Sequence, residues 1–243
     1  MQRRFIYTLL IIVLAVASAG AAWSADKTYK IGALLAVTGP ASFLGEPEKN
    51  TAEMVVDLIN QEGGINGHRL ELVVYDTEAN ESKSVVSAKK LISRDNVLAI
   101  IGPSTSGTSM AVIPIVTKEK VPMIAFGASM KIGAPVQERK WIYKVVPGDD
   151  LAVGLMYEQM KKKGIDKIAI LTVSNGYGIS GREQMKKLAP EYGIDIVFDD
   201  TYGPKESDLS ALLTKIRTTP AQAIINWSIG PPQIVVTRNW KQL

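Results

Sequence analysis

At 243 residues with no cysteine, one histidine and a near balance of 28 basic and 24 acidic side chains, the chain excludes several chemistries at once. No disulfide framework, thiolate nucleophile or cysteine-ligated metal can be built, and a lone His68 removes histidine triads. The formal net charge of +4, part of it carried by Arg3 and Arg4, is not a nucleic-acid footprint.

The first 25 residues read as an export leader. Arg3 and Arg4 form a positive start, Phe5 to Ala17 an apolar run, and small residues follow. The run is shorter than the roughly 20 residues a membrane-spanning helix needs, which favours a cleaved leader over a membrane anchor. Cuts after Ala19, Ala21, Ala22 or Ala25 fit, and export from the cytoplasm is expected. No cysteine follows the run to carry a lipid.

Strand-like and helix-like patterns then alternate. Tyr29 to Val37 predicts a buried strand, and Glu46 to Gln61 has helical spacing that stops at Gly63-Gly64. Leu70 to Tyr75 predicts a strand, Ser82 to Ser93 a helix, and Val97 to Ile101 a strand. A helix over Ser106 to Lys118 follows, with Pro114 expected to kink it, then a short strand at Pro122 to Phe126. Ile142 to Val146 reads as extended and ends at Pro147-Gly148.

The alternation starts again after that dipeptide. Helices are expected at Leu151 to Lys163, Gly181 to Leu188, Ser207 to Arg217 and Pro232 to Gln242. Strands are expected at Lys167 to Val173, Ile194 to Phe198 and Ala223 to Trp227. This spacing predicts an α/β fold of two doubly wound parallel-sheet lobes: a first lobe over 26–146 and a second over 147–243. Ligands in such sheets gather at the carboxyl ends of the strands. The loops to watch are therefore Thr38 to Gly45, Gly102 to Gly107, Phe126 to Lys131, Ser174 to Gly178 and Trp227 to Pro231.

The most informative stretch is Ile100 to Ile115, IIGPSTSGTSMAVIPI. A strand that runs into a glycine and hydroxyl loop and opens a helix points unpaired N–H groups, and the positive end of the helix dipole, at one spot. No cation stands in the loop, so a carboxylate suits it better than a polyphosphate. Gly102 to Ser109 also misses the phosphate-cradling GxxxxGK[ST] pattern, because Thr108 replaces the lysine. An ordinary helix cap is the plainer explanation, but five hydroxyls exceed what one cap needs.

Gly176-Tyr-Gly-Ile-Ser-Gly181 does match GxGxxG, with Asp195 and Asp199 downstream. It would suit a dinucleotide-dependent oxidoreductase, yet Ser174 and Asn175 loosen the turn that motif requires. A glycine-rich turn with Tyr177 facing the cleft is the preferred reading. Asp149-Asp150 is explained by helix N-capping, Lys161 to Lys163 by a helix C-terminus, and His68 by a surface turn. No catalytic constellation, metal site or cofactor is expected.

The segments YKIGALLAVTGPASFLGEP, DLINQEGGINGHRLELVVYDTEAN, IIGPSTSGTSMAVIPI, VPMIAFGAS and NGYGISG resemble the periplasmic leucine/isoleucine/valine-binding proteins of ABC importers, the type I solute-binding family. The resemblance covers nearly the whole chain after the leader. It implies a non-enzymatic, exported protein that closes two lobes on a branched-chain amino acid or related small carboxylate. Its partner would be an ABC permease in the inner membrane, with no nucleic acid involved. A ligand-sensing receptor is the alternative on the same fold.

The resemblance further implies ligand contacts at Thr105, Ser106, Gly127, Ala128, Ser129, Tyr177 and Trp227. Ser106, Gly127 and Ser129 would grip the carboxylate and ammonium, and Tyr177 would close over them. Leu44 and Ile229 stand where tyrosines are usual, which puts leucine-like specificity in doubt. The family's frequent first-lobe disulfide would fall at Ala79 and Thr105, where both cysteines are missing. Family members continue well beyond Leu243, so a chain truncated within its second lobe is expected.

Overall fold

The computed structural model describes residues 28–243, so the expected leader lies outside the described residues. Eight strands and seven helices alternate. They are β1 (Tyr29–Leu35), α1 (Ser42–Gln61), β2 (Leu70–Asp76), α2 (Glu81–Ser93), β3 (Ala99–Ile101), α3 (Ser106–Glu119), β4 (Met123–Ala125) and β5 (Ile142–Lys144) in the first half. The second half contains α4 (Asp149–Lys162), β6 (Lys167–Val173), α5 (Gly176–Tyr192), β7 (Asp195–Tyr202), α6 (Ser210–Arg217), β8 (Ala223–Trp227) and α7 (Pro232–Gln242).

Two wholly parallel sheets result, ordered β2-β1-β3-β4-β5 and β7-β6-β8. In the first, Gly32 of β1 lies between Val73 and Ile100 of its neighbours. The helical crossovers that parallel pairing requires put apolar surface on the sheet faces. Leu34, Leu91, Ile100, Val112, Val116 and Met123 form a dry core between this sheet and the pair α2 and α3. On the other face, Val55, Val56 and Ile59 of α1 border an apolar groove of about 540 Å³ with Leu70, Leu72, Ile101 and Phe126.

Strand β6 is the centre of the second sheet and is buried from Ile168 through Val173. Its side chains serve two cores. Ile168 and Ile170 meet Val153, Tyr157 and Met185 of α4 and α5, and Ala169, Leu171 and Val173 meet Leu213, Ile216 and Val236 of α6 and α7. Burial of each large aliphatic side chain stabilises by about 1.5–3 kcal/mol. A strand covered on both faces needs this continuous apolar run, whereas a half-exposed strand would alternate. Among the described residues no helix is long and apolar enough to cross a membrane.

The element order follows the expectation, and three differences have local causes. Helix α5 starts at Gly176 instead of Gly181, because the Asn175 side chain accepts from the N–H groups of Tyr177 (3.1 Å) and Gly178 (3.0 Å). Helix α3 runs unbroken through Pro114, whose side chain is exposed. Asp149 is not an N-cap: Gly148 holds that position, and the Asp149 carboxylate instead accepts from the N–H of Met130 at 3.0 Å. His68 is in a turn bridged to Ile65, its ring edge-on to Tyr29 at 5.0 Å.

Among the described residues, the backbone passes from one sheet to the other once, between β5 and α4, through a segment in which Val145 and Val146 are exposed.

Candidate functional site

Loops from the carboxyl ends of both sheets meet around a cavity of about 170 Å³. Its lining names five helix N-termini in turn: Pro40 and Ala41 before α1, Ala79 and Glu81 at α2, Thr105 and Gly107 at α3, Asn175 to Tyr177 at α5, and Pro231 and Pro232 at α7. Pro204 and Ile229 complete it. The cavity is small beside the roughly 300–1,000 Å³ of drug-sized sites, which restricts it to compact solutes. Each helix brings the positive end of its dipole, although α7 opens on Pro231 and Pro232, which carry no N–H, and Asn175 already accepts from the N–H groups of Tyr177 and Gly178 at α5.

The local sequence explains this convergence. Thr105 and Thr108 form a reciprocal cap at α3, with their hydroxyls 2.7 Å apart, and Asn80 caps α2 by accepting from the N–H of Lys83 at 2.9 Å. No side chain caps α1 or α7. No lysine or arginine lines the cavity, and Glu81 is its one charged side chain.

The two lobes touch directly beside the cavity. A methyl group on Gly176 would lie 2.6 Å from the Cα of Gly107, so the N-termini of α3 and α5 approach backbone to backbone. Ser129 and Ser180, both buried, share a hydrogen bond of 2.6 Å between their hydroxyls. Lys131 pairs with Glu183 across the same seam. Gly230, at φ +85°, sets its backbone against the carbonyl of Pro40.

Of the residues expected to touch ligand, Thr105 and Tyr177 line the cavity. Ser106, Gly127 and Ser129 lie buried beside it. The Ser106 hydroxyl accepts from the N–H of Ser129 at 3.1 Å, and a methyl group on Gly127 would sit 2.8 Å from the Cα of Ser106. Ala128 is half-buried, and its carbonyl accepts from the Asp149 N–H (3.2 Å) and the Lys144 ammonium (3.0 Å). Trp227 backs Tyr177, their rings stacked at 5.3 Å. Burial, and then the Asp149 charge, push the Tyr177 hydroxyl above its ordinary pKa. Burial likewise lowers the Lys144 ammonium, against the pull of Asp149 and Asp150.

Glu81, Pro204 and Pro232 were not among the expected contacts or in the loops flagged for them. The rule that ligands gather at strand ends would have found Glu81, since the loop after β2 is such an end. The glycines of the GxGxxG match serve packing: Gly176 against Gly107, Gly178 against the backbone of Val173, and Gly181 against the Trp227 ring.

The profile of the family described as periplasmic binding protein matches residues 28–242. The chain belongs to this family. A Leu/Ile/Val-binding protein of Rhizobium johnstonii is 30% identical, with 86% of this chain and 57% of the relative covered. Among solved structures, an extracellular ligand-binding receptor of Rhodopseudomonas palustris superposes with a TM-score of 0.81 at 26% identity, over 88% of this chain and 58% of that one. The branched-chain amino acid transporter substrate binding protein of Streptococcus pneumoniae, solved with isoleucine, gives 0.73 at 25% identity, over 82% and 57%. The chain thus spans somewhat over half the length of these relatives, and its two parallel sheets are partial lobes of the type I periplasmic binding protein fold.

Proposed function

We propose that the chain is the solute-receiving part of an exported binding protein for an ABC importer, and that it takes a branched-chain amino acid or related small carboxylate between lobes formed by residues 26–146 and 147–243. The observation that carries this reading is the cavity between the sheets, ringed by five helix N-termini and free of lysine and arginine. Aligned N–H groups bind a single carboxylate without a side-chain cation. The family's binding role and the isoleucine bound to the streptococcal structure support the same class of solute.

In this reading Thr105, Ser106, Gly127, Ala128 and Ser129 hold the carboxyl end, exchanging contacts they now make with one another. Tyr177, stiffened by Trp227, covers the apolar part. Closure is a hinge motion that the solute favours by touching both lobes. The permease of the inner membrane is the partner, and no reaction is catalysed.

Isothermal titration of the exported protein with leucine, isoleucine, valine and aromatic acids tests this. Heat is expected from at least one carboxylate and is lost in the Ser106→Ala/Ser129→Ala double variant. No heat from any of them, or full binding by the double variant, overturns the reading.

A further inference from the structure

We infer that Asp76, which stands outside the cavity lining, is a positioning residue for it: its carboxylate fixes the two first-lobe loops that bring Pro40, Ala41 and Ala79 to the wall. The inference rests on the cavity being the solute site. Asp76 is the last residue of β2. Its Oδ1 accepts from the N–H groups of Thr38 (3.2 Å) and Glu78 (2.9 Å), and its Oδ2 accepts from the Thr38 hydroxyl at 2.5 Å. Thr38 lies between β1 and α1, and Glu78 between β2 and α2, so one side chain ties both loops together.

The loops are held in a conformation that needs such a tie. Glu78 and Ala79 are consecutive non-glycine residues at φ +53° and +56°, in the left-handed region that a side chain disfavours. Strain of this kind persists only where the surroundings over-determine the backbone, and it collects at ligand clamps. Here it shapes the one residue of the pair, Ala79, that lines the cavity. The opposing loop packs backbone to backbone: a methyl group on Gly39, at φ +81°, would lie 3.2 Å from the Glu78 carbonyl oxygen. Pro40 follows directly, and its carbonyl oxygen would lie 3.1 Å from a methyl group on Gly230 of the second lobe. Asp76 therefore acts at one remove on two stretches of the wall and on a surface where the lobes meet. Burial works to raise its pKa, but the hydrogen bonds from Thr38 and Glu78 and the Lys83 charge prevail and hold the carboxyl below its ordinary range. As an anion it accepts all three bonds with no O–H of its own to place.

The test follows solute affinity and local backbone protection together, in the exported protein at pH 7. L-Leucine, L-isoleucine, L-valine and benzoate are the probes for titration calorimetry. Asp76→Ala removes all three bonds and should bind the tightest probe at least tenfold more weakly. Asp76→Asn is the conservative variant: its side-chain oxygen can keep both N–H bonds, and its affinity should stay within about threefold of the parent. Hydrogen–deuterium exchange in Asp76→Ala should quicken only around 36–41 and 77–80, and Asp76→Asn should restore the protection. Thr38→Val, at an exposed position, deletes the hydroxyl bond alone and carries the test should Asp76→Ala fail to fold. It should weaken binding about threefold in the parent and have no further effect in Asp76→Ala. Parental affinity in Asp76→Ala or in Thr38→Val, an equal loss in Asp76→Asn, or exchange quickened throughout the first sheet overturns the role of Asp76 and leaves the solute site standing. Failure of every probe to bind the parent protein overturns both.

Discussion

The hydroxyls of Ser129 and Ser180 meet at 2.6 Å across the seam between the two sheets, each buried from solvent. Ser180→Ala leaves the Ser129 hydroxyl accepting from the Lys131 N–H at 3.2 Å but with its own proton short of the Ser180 acceptor in a buried site, at a cost of about 1 kcal/mol. The Ser129→Ala/Ser180→Ala pair should cost less than the two single changes summed, since neither hydroxyl is then stranded. Urea unfolding of the four proteins measures this, and simple additivity would refute the coupling.

Gly176 and Gly107 set how closely the lobes approach. Gly176→Ala places a methyl group 2.6 Å from the Cα and 2.8 Å from the N of Gly107, and this backbone cannot move aside as the Met110 side chain, at 3.0 Å, could. The expected outcome is at least a tenfold loss of solute affinity with little change in thermal midpoint, because each sheet keeps its own core. Calorimetry and scanning fluorimetry together check it; an unchanged affinity would show that the lobes need not meet here.

Tyr177 stacks on Trp227 and faces the cavity. Tyr177→Ala removes an aromatic pair worth about 0.5–1.5 kcal/mol beyond its buried area and opens the cavity wall. Solute affinity should fall at least tenfold, whereas Tyr177→Phe should retain most of it. Equal losses in the two variants would assign the effect to the hydroxyl instead of the ring.

Asp199 receives two hydrogen bonds from the Arg182 guanidinium, at 2.6 and 2.8 Å, and one from Lys186 at 2.9 Å. Burial works to raise its pKa, but the bonds and charges of Arg182 and Lys186 prevail and hold it below the ordinary value. The folded pKa therefore lies below the unfolded value of about 3.9. The stabilisation is complete above that value and is lost as pH falls through the folded pKa. Asp199→Asn should cost about 1 kcal/mol at pH 7, since Arg182 is half-buried and Lys186 exposed. The difference from the parent should close as pH falls below about 4. Chemical unfolding across pH 2–7 checks it; a difference that persists at pH 2 would refute the charge argument.

Strand and helix order were legible because parallel sheets impose long apolar runs and helical spacers. Lys167–Val173 is the plainest case, read correctly to both ends because both faces of β6 are covered. The reading failed where a side chain bonds backbone N–H groups, whether of its own helix or of another element. The N-terminus of α5 depended on a cap by Asn175, and Asp149 was assigned to its own helix when it bonds Met130 in the other lobe. Position within the site was legible at Thr105 and Tyr177, which stand in loops after strands. Glu81 escaped because an acid in a first helical turn already has a sufficient local explanation, and only the fold sets it beside Gly107.

Among the described residues, a single exposed connection around Val145 and Val146 makes the meeting of the two sheets an intramolecular event. The peptide holds each half at a high effective concentration toward the other. Within residues 28–243, nicking that stretch would leave every seam contact chemically intact yet make cleft assembly a bimolecular reaction, so solute affinity would depend on protein concentration.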